Sequence, residues 1–411
     1  MKLINLELSE PLPAIPPCSI GEQRVLVRLH GEPLGFLTTP LSGVQPRDLC
    51  LLVVGRFHFE IARHLVADGL ASHAVSLGDL SRIPRGCPQH SSPALPVTVA
   101  VCTRNRAVQL RECLQAIAAL DYPESLLDLL VVDNAPADDS TRTVVGEYPR
   151  MRYVREPAPG LDHARNRAIR ESHGTVVAFT DDDVSVDPQW VRSLASAFEA
   201  EPHAMCVTGL VVPDALDTEA QILFERYGGF GRGVIRDVFR VPGKSRVARV
   251  YGGAGRFGTG ANMAFRREFF DRHGEFDPAL DVGTLTNGGG DLEMFFRVLK
   301  EGHALVYEPR AIVRHRHRRE YRDLKTQIEN NGTGFYSYLT RSARAYPDER
   351  GNILRLGMWW GLHWNARRLL RSFAGLESIP RDLIVAEIAG SLKGLRRYGA
   401  SRRRAAAGQM S

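Results

Sequence analysis

Residues 175–187, Thr-Val-Val-Ala-Phe-Thr-Asp-Asp-Asp-Val-Ser-Val-Asp, hold the densest chemistry in the chain. Their β-branched and aromatic start reads as a buried strand. That strand ends in three consecutive carboxylates, Asp181, Asp182 and Asp183. Like charges about 4 Å apart repel by roughly 1 kcal/mol in water and about 4 kcal/mol at an effective dielectric of 20. Three of them in a row require a cation or a proton. Hard divalent ions favour carboxylate oxygens, and Mg²⁺ or Mn²⁺ commonly bridges them to a substrate's phosphates. Ligands of α/β sheets gather beyond the carboxyl ends of strands. Taken alone, the triplet reads more readily as an acidic turn, with Asp187-Pro188 as N-cap and first residue of a helix to Ala200. Its neighbours reverse that.

The elements that must position these acids alternate from Val97 onward. Residues 97–102 read as a buried strand, followed by the polar turn Thr103-Arg104-Asn105-Arg106 and a helical stripe of Leu110, Leu114, Ile117 and Leu120. A second strand at 129–132 ends in Asp133-Asn134. A helix at 141–148, a strand at 152–155 and a helix at 161–172 lead into the acidic strand. Beyond it lie a strand at 205–212, two glycine-rich stretches, a strand at 262–265, a loop at 281–290 and a helix at 291–300. Short apolar segments at 305–307 and 311–313 run into His315-Arg316-His317. Strand–helix alternation at this spacing predicts an α/β domain with a mainly parallel sheet.

The motifs Val99–Arg106, Val131–Asn134, Gly160–Asn166, Phe179–Asp183, Gly260–Arg266 and Gly288–Glu293 stand in order and at suitable spacing. Together they resemble glycosyltransferase family 2, inverting enzymes with a GT-A fold, over roughly 96–317. The resemblance implies a GT-A (nucleotide-diphospho-sugar transferase) fold, a divalent metal (Mn²⁺ or Mg²⁺) and a nucleotide-diphosphate sugar as donor. By the same match Thr103, Arg104 and Asn105 contact the nucleotide, and Asp133 binds its base or ribose. Gly160 and Arg165 meet the nucleotide or diphosphate at a helix N-terminus. Asp181 contacts the nucleoside and joins the metal, Asp183 holds the metal, and Asp182 is counted with the nucleotide contacts. His315 is a third metal ligand, with His317 behind it. The bland alternatives are a turn or cap for Asp133, a surface helix position for Arg165 and a solvated basic patch for His315.

Inversion needs a base within about 2.6–3.2 Å of the acceptor oxygen, directly or through one water. Asp291 follows three glycines that let backbone approach a ligand, and it opens a helix. It is the expected base, with helix N-cap as the alternative. Glu293 either shares the role or serves as a first-turn acid. The family's motif carries an acid directly before this aspartate; here that position is Gly290.

Other motifs point elsewhere. Gly253-Ala254-Gly255-Arg256-Phe257-Gly258 fits the dinucleotide fingerprint of an oxidoreductase, but no helix follows and no βαβ unit is evident. A flexible lid or acceptor loop is the better reading, and Gly260-Ala261-Asn262 is expected to line the acceptor side. Trp359, Trp360 and Trp364 neighbour Arg367, Arg368 and Arg371 in one helix. That pattern suits packing against the catalytic domain, and also a membrane headgroup region.

The 411 residues, 44% hydrophobic and 24% charged, are those of a globular chain. They divide into an N-terminal accessory domain (1–92), with a linker at 91–96, a GT-A catalytic domain (93–318) and a helical, basic extension (319–411). No run reaches the roughly 18 apolar residues of a spanning helix, and the first residues lack a signal peptide's pattern. The six cysteines form no CxxC pair, which points to reduced thiols and a cytoplasmic setting. The net charge of +6 gathers after Arg310 and at Arg402–Arg404. It suits peripheral contact with the inner face of a membrane, and no nucleic-acid-binding motif accompanies it. The acceptor is a saccharide, a lipid-linked intermediate or a small molecule. A nucleotidyltransferase with the same metal–diphosphate geometry, or a non-catalytic sugar-nucleotide or membrane-binding module, are the rival functions.

Overall fold

A computed structural model describes residues 3–15, 23–39, 43–70, 80, 83, 94–243 and 245–408. Residues 91–93 of the expected linker at 91–96 lie outside them. The first unit is a three-stranded sheet of β1 (Leu3–Glu7), β2 (Gln23–Leu29) and β3 (Glu32–Thr39), covered by α1 (Pro46–Ala67). The hairpin β2–β3 turns at His30-Gly31, both with positive φ. The helix ends at Asp68 and Gly69, where a left-handed glycine stops it.

The chain then enters a nine-stranded sheet. Its strands are β4 (Val97–Thr103), β5 (Leu127–Asn134), β6 (Met151–Glu156), β7 (Val176–Asp181), β8 (Val184–Val186), β9 (Ala204–Pro213), β10 (Asp237–Phe239), β11 (Asn262–Arg266) and β12 (Ala304–His315). β4, β5, β6 and β7 pair in parallel, as do β9 and β12, while β11 lies antiparallel between the two groups. β4 and β9 are buried along their whole length, as expected of strands covered on both faces. One face carries α2 (Ala107–Ala118), α3 (Ser140–Gly146) and α5 (Trp190–Ala200), through Leu110, Leu114, Trp190 and Phe198. The other carries α4 (Leu161–Glu171), α8 (Arg267–His273) and α9 (Gly290–Lys300), through Ala168, Phe269 and Phe295.

Two local expectations change. The segments at 305–307 and 311–313 are one strand, β12, bulged between Glu308 and Ile312. Pro309 sits in that interval, and a proline cannot donate to the ladder. The helix after the acids begins at Trp190 rather than Pro188. Asp187 instead receives the amide of Gln189 at 3.1 Å and pairs with Arg28 of the first unit at 2.6 Å.

The C-terminal region is helical. α10 (Tyr321–Ala345) packs along α13 (Arg381–Gly408), and both lie over the catalytic sheet's helices. Between them run α11 (Arg350–Met358), a π-helical stretch (Trp359–Ala366) and α12 (Arg367–Phe373). α6 (Glu219–Tyr227) and the short α7 (Val247–Tyr251) bridge them to the sheet.

Candidate active site

The ends of β4, β5 and β7 stand level: Thr103 pairs with Asp133, and Cys102 with Asp181. From β4 the chain steps to β5 and β6 on one side and then crosses through α4 to β7 on the other side of β4, so a crevice opens at this switch point. Side chains alternate sides at a strand end, and this splits the acidic triplet. Asp182 turns inward, accepting from Thr103 Oγ1 at 2.7 Å and Arg106 Nη1 at 2.9 Å, and it is buried. The expected nucleotide contact at Asp182 is therefore corrected: this carboxylate locks the turn after β4. Asp181 and Asp183 face the other way.

Asp181, Asp183 and His315 each bring one ligand atom to within 4.8 Å of the others. His315 Nε2 lies 3.5 Å from Asp183 Oδ1. Its Nδ1 lies 3.1 Å from His317 Nδ1, and His317 Nε2 lies 3.0 Å from Glu225 Oε1. That relay fixes the ring as outer-sphere partners fix ligating histidines. Burial drives His315 down to about 4, so the ring is neutral at pH 7. Burial pushes Asp181 up to about 7 against the pull of Arg165, and the Asp183 and Asp182 charges add to the rise. A third of the Asp181 side chain still meets solvent, so a cation has access. Two carboxylates and a neutral imidazole suit Mn²⁺ or Mg²⁺.

The crevice holds the other expected residues. Asp133 is buried, accepts from Tyr153 Oη at 2.8 Å and leaves Oδ1 without a hydrogen bond among the described residues. Arg104 is exposed at the lip. Asn105, at φ 55°, accepts from the Ala137 amide at 2.9 Å. Gly160, at φ 143°, opens α4 and donates to Asn134 Oδ1 at 2.8 Å. A side chain there would overlap the Asp281 carboxylate.

On the other side a cavity of about 650 Å³ is lined by Asp181, Arg165 and Asp291 at its acidic end. Arg165 Nη1 lies 3.1 Å from Asp162 Oδ1, and Nη2 lies 4.0 Å from Asp181 Oδ1. Asp291, in the first turn of α9, receives the Gly260 amide at 2.8 Å and the Leu292 amide at 2.9 Å. Glu293 is fully buried and paired with Arg297 and Arg341. It faces the helix packing instead of the cavity, which corrects the expected shared catalytic role. Gly260 and Ala261 line the cavity. Asn262 does not: it is buried, accepting from Trp190 Nε1 and donating to the carbonyls of Leu210 and Ala311. Gly253, Gly255 and Gly258 line the cavity from a short 3-10 turn, not from the mouth of a βαβ unit. That removes the dinucleotide reading.

Three features went unread in the sequence. Asp162 and Asp281 are buried beside Arg165, and burial raises both, Asp281 to about 7. Asp281 faces the first amides of α4. Asp162 lies inside a quoted motif, at a helix's first turn, where its spacing to Arg165 was the available signal. The far wall is aromatic: Phe335 from α10, Trp360 and Trp364 from the π-helical stretch, and Tyr227 from α6. Glu387 of α13 receives Trp360 Nε1 at 3.1 Å and the Tyr227 hydroxyl.

An open α/β sheet with a metal-fitting triad at its strand ends, set between a crevice and a cavity, has the GT-A architecture. Residues 98–274 match the profile described as "Glycosyl transferase family 2", and the domain they form belongs to that family: the chain is a glycosyltransferase. The chain is 24% identical over 241 residues to a glucosyl-dolichyl phosphate glucuronosyltransferase of Haloferax volcanii, covering 54% of this chain and 69% of that protein. It is 26% identical over 313 residues to a pre-mycofactocin glycosyltransferase of Mycobacterium tuberculosis, covering 74% of this chain and 58% of that one. The solved mannosyltransferase PcManGT of Pyrobaculum calidifontis, in complex with GDP-Man and Mn²⁺, shares the fold. Its TM-score is 0.52 at 19% identity, over 85% of this chain and 99% of that one.

Proposed function

We propose that the chain is a metal-dependent, inverting glycosyltransferase that moves a sugar from a nucleotide-diphosphate donor to an acceptor hydroxyl. The observation that carries this is the shared cleft, in which Asp181 of the metal triad and Asp291 line one cavity with Arg165 beside both. Thr103, Arg104, Asn105 and Asp133 border the nucleotide's place, and Gly160 and Arg165 the diphosphate's. Asp181, Asp183 and His315 would hold a divalent cation, which would supply charge neutralisation for a diphosphate leaving group. Asp291, oriented by the Gly260 and Leu292 amides, takes the acceptor's proton. The acceptor oxygen bonds to the anomeric carbon as the carbon–phosphate-oxygen bond breaks, and its electrons leave with the nucleoside diphosphate.

The cavity also bears on the acceptor. Residues 350–376 contain five arginines and no acid. Leu354, Met358, Leu362, Leu370 and Phe373 are exposed there, each by more than half. Apolar and cationic side chains together suit the headgroup region of an anionic bilayer. No helix among the described residues is long and apolar enough to cross a membrane; the contact proposed is a peripheral one through these side chains. Trp360 and Trp364 of the same stretch line the cavity. A lipid-linked acceptor entering from the bilayer is the reading this favours, and the Haloferax relative's name includes a glucosyl-dolichyl phosphate. The free thiols at Cys50, Cys102, Cys113 and Cys206 fit a reducing, cytoplasmic setting.

Asp183→Asn should abolish transfer and metal-dependent nucleotide binding measured by calorimetry. Asp291→Asn should lower kcat by about 10²–10⁴-fold with nucleotide affinity unchanged. Equal nucleotide binding by the two variants would overturn this division of roles. Release of pyrophosphate instead of a nucleoside diphosphate would make the protein a nucleotidyltransferase.

A further inference from the structure

We infer that His30, His64 and Asp68 form a second cation site, of zinc type, that fastens the N-terminal unit. It is separate from the catalytic triad and does not rest on the glycosyl-transfer reading. His30 sits at the β2–β3 turn, His64 in the last turn of α1, and Asp68 at that helix's C-cap. The i, i+4 spacing puts His64 and Asp68 on one helix face. Their side chains are nearly buried, at 1%, 6% and 10% exposure.

Three atoms converge on one point. His30 Nδ1 lies 3.1 Å from His64 Nε2 and 2.9 Å from Asp68 Oδ2, and His64 Nε2 lies 3.1 Å from the same oxygen. Two ring nitrogens bring at most two protons to the three edges of that triangle. With the carboxylate ionised, at least one edge is a contact between polar atoms with no proton along it. A single cation bonded to all three removes the conflict. The donors of a tetrahedral zinc, each about 2.0–2.1 Å from the metal, stand roughly 3.3 Å apart. Glu32 Oε2 lies 3.2 Å from His64 Nδ1. This is the carboxylate–histidine arrangement that directs the other ring nitrogen to a metal.

The site would act as a staple. Small units gain folding energy from a bound structural ion. The turn it fixes also touches the catalytic domain: Arg28 donates Nε to the Gly31 carbonyl at 3.2 Å and Nη1 to Asp187 at 2.6 Å. Asp187 follows the metal-binding Asp183 by four residues. Zinc at His30 would thus help hold the first unit against the strand that leaves the acidic turn.

The test uses the full chain carrying Asp183→Asn, so that the catalytic site contributes no tight metal. Elemental analysis should find about one zinc per chain, and Co²⁺ substituted after chelation should give the visible absorption of a four-coordinate nitrogen–oxygen site. Asp68→Asn or His64→Ala in that background should bring the zinc below about a tenth per chain. Should either variant fail to fold, chelation of the parent decides. Its Tm should fall by about 4 °C or more and return with added Zn²⁺. No zinc in the parent together with no thermal response to Zn²⁺ overturns the site, as does full retention of zinc by a folded Asp68→Asn variant.

Discussion

At the level of single residues, the crowding of acids around one arginine has a measurable consequence. Asp281 is buried, and burial holds its carboxyl up to about 7 although it faces the amides that start α4. An unfolded aspartate titrates near about 3.9. Between those values the folded chain keeps a proton that the unfolded chain releases, so stability falls as pH rises through the window. Asp281→Asn keeps the size and removes the titration. Melting curves should show the variant more stable than the parent at pH 8, with the gap closing toward pH 4.5. A gap of the same size at both ends would show that Asp281 does not hold that proton. The residues of this site were unevenly legible. Asp183, His315, Arg165 and Asp291 stand at strand ends and helix starts, in or beside motifs whose resemblance to the family marked them. Asp281 stands in a loop with no period to read, and its burial depends on α4 arriving from 120 residues earlier in the chain. Asp182 and Glu293 misled for the opposite reason. Position in a motif does not say which way a side chain turns, and hydrogen bonds to Thr103 and Arg106, or ion pairs to Arg297 and Arg341, turned them inward.

Helices and strands bring a second lesson, about Gly290. In the resembling family an acid stands at this position, and here the space is already taken. A Cβ on Gly290 would overlap the Asp162 carboxylate. The N-termini of α4 and α9 meet there, with the donor-side Arg165 on one and Asp291 on the other. Gly290→Ala should push them apart. Displacements of about 1 Å near a reacting centre cost on the order of 10²-fold in rate, so kcat/KM should fall by about that much. Adding Asp162→Ala frees the space and should recover part of the loss of Gly290→Ala. A double-mutant cycle measures this coupling, and additive effects would show that the two helix ends do not depend on this fit. Most elements were readable because hydrophobic period reports burial. Apolar runs marked β4, β5 and β7, and a stripe at helical spacing marked α2. What escaped was set by tertiary partners, as when Arg28 drew Asp187 out of its expected cap.

Across the whole molecule, the C-terminal extension gives the catalytic domain a wall that the sequence did not reveal as part of the site. The sequence left the tryptophan helix between packing and membrane contact; in the structure Trp360 packs inward while apolar neighbours in the same segment stay exposed. Trp360 packs near Phe335, with ring centroids 5.0 Å apart, and bonds Glu387. Leu362 and Phe373 remain 73% and 65% exposed. Exposed apolar side chains amid arginines lower their free energy in a bilayer interface, and the arginines add roughly 1 kcal/mol each near an anionic surface. Binding through both terms should respond to both. Full-length protein should co-sediment with vesicles containing phosphatidylserine or another anionic lipid, and salt should weaken the association. A Leu362→Glu, Phe373→Glu variant should lose it by about tenfold or more, since each change removes buried apolar area and adds repulsion. The same variant should keep nucleotide affinity, because neither side chain lines the cavity. If transfer to a water-soluble acceptor also survives while transfer to a vesicle-borne one fails, the surface delivers the acceptor. Equal sedimentation of parent and variant, or binding as strong to neutral vesicles as to anionic ones, would remove the bilayer from the account and leave the exposed leucines without a partner.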